Sequence, residues 1–144
     1  MRYDFKGITT EELSFKLNRV QIEPNQRVDI KPQFARQVRK PNDNRKLVFI
    51  SLAVKVESKA DEPKPFNLDV NLVGVFELEK EDYTAQEERA FVIDATQLLY
   101  PYLRAAVTNL TAQAYISPLN LPAITGPIFP EDRDVYAFAP GDIN

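Results

Sequence analysis

The residues of this chain that could do chemistry are mainly carboxylates, because the sequence contains no histidine and no cysteine. Carboxylate oxygens bind calcium and magnesium when enough of them converge. The densest acidic group of the sequence lacks EF-hand spacing and the glycine that such a turn requires, and Lys80 interrupts it. We interpret it as a solvated strand end and predict no metal site and no cofactor. The densest acidic group comprises Glu77, Glu79, Glu81, Asp82, Glu87 and Glu88.

The missing residue types exclude several classes of function. Without histidine the chain lacks the usual general acid or base at neutral pH and the commonest zinc ligand. Without cysteine it has neither disulfides nor a thiolate nucleophile, and with four glycines it has no phosphate-binding glycine loop. We predict that the protein is not an enzyme.

A cluster of basic residues flanks one predicted loop. It has no interleaved aromatic residues, and the net charge of the chain is -3, so we predict no binding to nucleic acid. We attribute the cluster to solubility and to protection of a sheet edge. Its members are Arg36, Arg39, Lys40, Arg45 and Lys46.

Length and composition are typical of one soluble globular domain. The chain has 144 residues, of which 44% are hydrophobic and 27% charged. Its start lacks the apolar core of a signal peptide, and the most apolar run, 47–54, is too short to cross a bilayer. We therefore expect a cytoplasmic protein that does not insert into membranes.

The first half of the sequence predicts four β-strands. Alternating apolar residues begin at Leu13, and a phase slip near Asn18 and Arg19, before Val20 and Ile22, predicts a bulge. A second run, 28–34, contains a proline that favours an edge position.

The third and fourth strands, 48–56 and 66–79, carry the strongest alternation. Val73 and Val75 form an apolar patch on the otherwise polar side of the fourth strand. The patch is covered by the chain's own helix or by a second subunit, or it is a ligand surface. Gly74 between them permits a bend or the close approach of another backbone.

The helix prediction rests on apolar residues at i, i+3 and i+4 spacing between Leu99 and Leu110. We place Pro101 as the first residue of the main helix, since an interior proline costs about 3 kcal/mol, with a short capped turn from residue 94 and a kink near Tyr100. Thr84 with Glu87 fits a capping box for one helical turn. The segment 91–93 is ambiguous between strand and connector.

These elements predict an α+β fold: a four-stranded antiparallel sheet followed by one main amphipathic helix and an apolar crossover loop. We expect a single domain over 1–144, with the sheet in about 1–80, the helix in 94–113, the loop in 114–126 and an irregular tail in 127–144. One helix cannot cover both faces of a sheet, so we predict a homo-oligomer, a dimer or a tetramer.

The segment from Leu99 to Leu121 resembles the SecB family of protein-export chaperones, with a weaker likeness to a SecB-like family of Gram-positive bacteria. The likeness is carried, without a gap, by Pro101-Tyr102, Arg104, Thr108, Leu119-Asn120-Leu121 and a nearby proline. The resemblance implies dimers formed through the sheets, tetramers formed by helix packing, and non-native polypeptide bound in apolar grooves between helix, crossover loop and sheet.

Carried over residue by residue, the resemblance implies polypeptide-binding positions in the loop and the helix, and the strand pattern adds three more. An alternative is that the same residues are core and subunit contacts. The predicted polypeptide-binding residues are Val73, Val75, Phe76, Leu103, Val107, Ile116, Leu119 and Leu121.

The resemblance implies an ATP-independent holdase that binds apolar segments of non-native polypeptides. The alternative is an adaptor or structural subunit that binds one specific protein partner. Family members carry a second C-terminal helix and a basic tail that engages the SecA motor. In place of these two features, this sequence has the segment 128–132 and a C-terminal end without basic residues. The resemblance therefore does not imply coupling to SecA.

Overall fold

The computed structural model describes residues 1–19, 30–123 and 126–133. Its strands form one antiparallel sheet in the order β1-β4-β3-β2, so that β1 and β2 lie at the edges. This confirms the α+β class and the four-stranded sheet followed by one main helix. The elements are β1 (Tyr3–Leu17), β2 (Gln33–Arg39), β3 (Leu47–Val56), β4 (Phe66–Leu78), the helix α1 (Ala85–Gln113) and a short 3-10 turn, η1 (Pro130–Asp132).

The two edge strands differ from their predicted limits. β2 begins directly after Pro32, and the strand order confirms its edge position. β1 begins at Tyr3 rather than at Leu13, and its register against β4 shifts twice, between residues 5 and 7 and between residues 10 and 12. The bulge predicted near residues 18 and 19 falls where β1 ends. The residues expected to continue that strand, and the turn at 24–26, lie outside the described ranges.

The helix is one continuous element, and the prediction that it starts at residue 94 or at Pro101 is wrong. Thr84 caps it, since the Thr84 hydroxyl accepts from the Glu87 N–H and the Glu87 carboxylate accepts from the Thr84 N–H, both at 3.1 Å. These hydrogen bonds lower the pKa of Glu87. Their stabilisation is therefore present above the ordinary pKa of the carboxyl and is lost as the pH falls through the lowered value. The capping box was predicted, but for a single turn.

Pro101 lies inside α1, where it cannot donate a hydrogen bond to the carbonyl four residues earlier. The helix continues through it because the flanking residues Leu99, Tyr100 and Leu103 are buried against the sheet. Each such burial contributes about 2 kcal/mol, so together they outweigh a penalty of about 3 kcal/mol. The proline itself faces solvent. The ambiguous segment 91–93 belongs to the same helix.

Helix and sheet approach each other closely at Gly74. A Cβ atom at this position would lie 2.6 Å from Leu99 Cδ2 and 2.9 Å from Phe76 Cε2. Leu99 and Phe76 are fully buried, so neither can move aside freely. The glycine therefore permits a close approach, as predicted, but of a helix side chain rather than of another backbone.

Val73 and Val75 lie on the face of the sheet that is opposite the helix. Successive residues of a strand point to opposite faces, and the neighbouring Gly74 faces Leu99. The interpretation that the chain's own helix covers this patch is therefore wrong. Val73 is buried by its strand neighbours Thr9 and Ser51, and Val75 is half-buried.

Within the part of the chain that the structure describes, no helix has both the length and the apolar character needed to span a membrane.

We predict that Gly74→Ala lowers the free energy of unfolding by about 1–3 kcal/mol, because the added methyl group overpacks a rigid core. Gly7→Ala is the matched control in the same sheet, since nothing lies within 4 Å of its would-be Cβ, and it should change that free energy by less than about 1 kcal/mol. Urea unfolding followed by circular dichroism measures both. Equal losses at the two positions would contradict the close contact.

Candidate functional site

An apolar cleft opens between the end of β1, the start of β4 and the loop that follows α1. Its volume is about 290 Å³. No lining residue is charged, so the cleft offers apolar contact rather than acid–base or metal chemistry. Its lining consists of Leu17, Ile30, Pro65, Phe66, Ile116, Ser117, Pro118 and Leu119.

The sheet side of the cleft is formed by a cross-strand pair. Leu17 of β1 lies directly opposite Phe66 of β4, and the Phe66 ring stacks on that of Phe15 with 5.3 Å between centroids. Phe66 is buried, whereas Leu17 is 59% exposed. The pair therefore provides a fixed aromatic base with an accessible leucine beside it.

A polar network fixes this side of the cleft from behind. The Asn18 N–H donates to the Pro65 carbonyl at 2.8 Å, and the Asn18 side-chain amide donates to Asn67 Oδ1 at 2.8 Å. Asn67 Oδ1 also accepts from the Ser58 N–H at 3.0 Å. The end of β1 is thus tied to the β3–β4 connection, which holds the cleft-lining residues Leu17 and Pro65 in place.

The loop side of the cleft is held by hydroxyls of α1. Thr111, which is buried, accepts from the Leu119 N–H at 2.8 Å and donates to the Val107 carbonyl at 2.9 Å. The Thr108 hydroxyl lies 3.3 Å from the Leu119 carbonyl oxygen and 3.2 Å from Asn120 Oδ1. Backbone and polar groups of the loop are therefore satisfied by the helix, which leaves the apolar side chains available to form the cleft.

The same helix face continues to hold the loop further along. Arg104 Nε donates to the Leu121 carbonyl at 3.0 Å, and the Tyr100 hydroxyl donates to the Pro122 carbonyl at 2.6 Å. Burial raises the pKa of Tyr100 above its ordinary value of 10.0, although Arg104 partly opposes the shift. The hydroxyl thus remains a donor below pH 10, and its stabilisation is lost only as the pH rises through the raised pKa.

The predicted binding residues fall into three places. Ile116 and Leu119 line the cleft. Val73 and Val75 lie on the opposite face of the sheet, away from it. The remaining four are core residues with 0–2% of their surface exposed: Phe76, Leu103, Val107 and Leu121. We leave these four out of the proposed binding surface, since no part of them is presented to a ligand.

Sequence reasoning missed the sheet side of the cleft, namely Leu17, Ile30, Pro65 and Phe66. Leu17 and Phe66 stand in runs that were identified as strands. Only the β1–β4 register brings them together, and the register depends on the two shifts within β1. The alternation within each strand gives no signal of this pairing.

One member of the basic cluster has a structural role that was not predicted. Arg36 of β2 makes two hydrogen bonds to the Asp132 carboxylate, at 2.6 and 3.0 Å, and a third to the Thr96 hydroxyl at 3.1 Å. Its guanidinium also lies 4.6 Å from the centre of the Phe129 ring. The attribution of Arg36 to solubility is therefore wrong, and the start of the predicted irregular tail is a docked segment containing η1.

The acidic group behaves differently from a metal site. Among residues 1–19, 30–123 and 126–133, no three acidic side chains are close enough together to hold a metal ion. Two of the carboxylates are engaged elsewhere: Glu87 in the helix cap and Glu88 in an ion pair with Lys40 at 2.6 Å.

Known proteins resemble this chain in sequence and in fold. The family model for the preprotein translocase subunit SecB matches residues 4–126. The chain belongs to the SecB family. A SecB-like chaperone of Mycobacterium tuberculosis, solved in complex with a ChAD peptide from the HigA1 antitoxin, has the same fold, with a TM-score of 0.68 and 20% identity over 85% of this chain and 91% of that one.

Individual curated proteins and a second solved structure match parts of the chain. The protein-export protein SecB of Anaplasma phagocytophilum is 30% identical over 80 residues, 54% of this chain and 51% of the relative, so the chain spans about half the length of that protein. An uncharacterised protein of Methanocaldococcus jannaschii is 29% identical over 122 residues, 83% of this chain and 77% of its own length. A Streptococcus agalactiae protein of unknown function shares the fold more distantly, with a TM-score of 0.51 and 12% identity over 85% of this chain and 98% of that one.

We predict that Asp132→Ala lowers the free energy of unfolding by about 3 kcal/mol, because it leaves the Arg36 guanidinium largely buried without its partner. Replacing both residues, Arg36→Met with Asp132→Leu, should lose less than the single change. Glu77→Ala breaks the exposed pair with Lys6 at 3.9 Å and should lose less than about 1 kcal/mol. Chemical denaturation compares the free energy of unfolding of the three variants. Similar losses for Asp132→Ala and Glu77→Ala would show that the buried ion pair stabilises the fold no more than the exposed one.

Proposed function

We propose that this chain is an ATP-independent holdase that binds apolar segments of non-native polypeptides in the cleft between β1, β4 and the crossover loop. The observation that carries the proposal is the uncharged lining of the cleft in a chain of the SecB family. Burial of apolar surface contributes about 25 cal/mol per Å² and requires no particular direction. Such a cleft accepts many different apolar sequences.

The lining of the cleft, rather than its size, favours a polypeptide over a cofactor. Small-molecule sites usually measure roughly 300–1,000 Å³ and contain a few converging polar groups. This cleft measures about 290 Å³ and is lined by aliphatic, proline and aromatic residues with one serine. It fits apolar side chains presented by an extended chain.

The Mycobacterium tuberculosis neighbour supports the same kind of ligand, since it was solved with a bound peptide. That peptide comes from an antitoxin, which favours a second candidate function. In this candidate the cleft serves one dedicated protein partner, and the chain acts as an adaptor or structural subunit for it.

We further propose that the protein works as a cytoplasmic homo-oligomer. Leu13 and Tyr102 are 52% and 47% exposed, and β1 is an edge strand with one paired side in the sheet. A second copy that covers Leu13, Tyr102 and the outer edge of β1 would remove this apolar surface from water. Light scattering coupled to size-exclusion chromatography measures the mass.

We expect Ile116→Asp and Leu119→Asp each to weaken binding of an unfolded client at least tenfold, because a charge in the apolar cleft disfavours occupation. Neither residue is fully buried, so the fold should be retained, as thermal unfolding would show. Val38→Asp is the matched control, since Val38 is 41% exposed and lies outside the cleft lining. Unchanged affinity in both cleft variants would count against the cleft.

The two candidate functions predict different behaviour toward a chemically denatured model substrate. A holdase suppresses its aggregation without nucleotide, and the suppression saturates at a fixed molar ratio. A dedicated adaptor leaves aggregation unchanged at large excess and recovers one stoichiometric partner in a pull-down. Light scattering across molar ratios distinguishes the two functions. The absence of both suppression and a stoichiometric partner would contradict both of them.

A further inference from the structure

Tyr115, the second residue after α1, combines two unfavourable features. Its φ angle is 59°, the one positive φ among the non-glycine residues of the described ranges. Its side chain is 97% exposed. The chain thus places a large aromatic residue in a left-handed conformation and leaves its ring in water.

The left-handed conformation is common at this position, but a tyrosine in it is not. The helix ends at the C-cap Ala114, and the next residue often takes the left-handed conformation to satisfy the last carbonyls. Glycine, and less often asparagine, normally occupies it, because a Cβ atom is strained there. The Tyr115 N–H donates to the Ala112 carbonyl at 3.1 Å, a contact that a glycine would make equally well.

The fold gives no reason for the side chain. In the described part of the chain, the Tyr115 ring packs against no other aromatic ring and its hydroxyl forms no hydrogen bond. The residue that follows, Ile116, lines the cleft. The exposed ring of Tyr115 is therefore carried one residue along the chain from a side chain that lines the cleft.

We propose that Tyr115 is a client-binding residue that extends the cleft by one aromatic contact. This inference rests on the proposed function, since it names the same site and the same polypeptide ligand. A tyrosine offers a rigid apolar ring with a polar end, and such residues are enriched where proteins bind proteins. The strained backbone is retained because the ring serves binding rather than folding.

The proposal predicts opposite effects of one substitution on stability and on binding. Tyr115→Gly should raise the melting temperature by roughly 2–4 °C, since glycine fits the left-handed position. It should also weaken binding of a client about fivefold or more. Tyr115→Phe keeps the ring and should bind as the unchanged protein does.

The probe is reduced and carboxymethylated α-lactalbumin, labelled with fluorescein and titrated by anisotropy. Two further measurements accompany it: thermal unfolding of each variant, and molecular mass by light scattering. The Leu119→Asp variant is included as the test of the cleft itself.

The outcomes separate the inference from the proposed function. If the unchanged protein does not bind the probe, the holdase function and the role of Tyr115 both fail, and the dedicated adaptor remains as the candidate function. If it binds and Leu119→Asp abolishes binding while Tyr115→Gly leaves the affinity unchanged, the cleft stands and the role of Tyr115 is overturned. A lower melting temperature for Tyr115→Gly, or a changed mass, also overturns it, because the ring then stabilises the fold or a contact between copies of the chain.

Discussion

The close approach of α1 to β4 at Gly74 determines how the rest of the chain is arranged. Leu99 occupies the space that a Cβ atom at position 74 would need. The glycine therefore lets the helix pack closely against one face of the sheet. That contact aligns the buried row Leu99, Leu103 and Val107 with the core and holds Pro101 within the helix. Within the described ranges, no helix lies on the opposite face of the sheet, where Val73 is located.

A second row of the helix, displaced by one residue from the buried row, holds the crossover loop. Tyr100, Arg104, Thr108 and Thr111 recur at intervals of three or four residues, so they share one side of the helix. All four bond to backbone groups of the loop. The residue types that carry the resemblance in this helix, an arginine and a threonine four apart, thus have a physical explanation: they are donors aimed at loop carbonyls.

The sequence allowed the sheet, the edge position of β2 and the capping box to be predicted, because each depends on local pattern. The start of the helix could not be predicted in the same way. Proline rules describe isolated helices, whereas here the packing of Leu99 and Leu103 against the sheet keeps the helix continuous through Pro101. Half of the site was accessible through the loop residues Ile116 and Leu119. The other half required the register between β1 and β4, which local pattern does not specify.

Apolar type alone also failed to separate core from surface. Leu103 and Leu119 are the same residue type in the same matching segment, yet one is fully buried and the other lines the cleft. The difference arises from how each is held. Leu103 is fixed by full packing of its side chain, whereas Leu119, which packs only partly against the core, is also held through its backbone N–H, which donates to Thr111. A loop that is anchored by its backbone does not need to bury its side chains to stay in place. This is the physical condition under which apolar side chains remain open to a ligand in a folded protein.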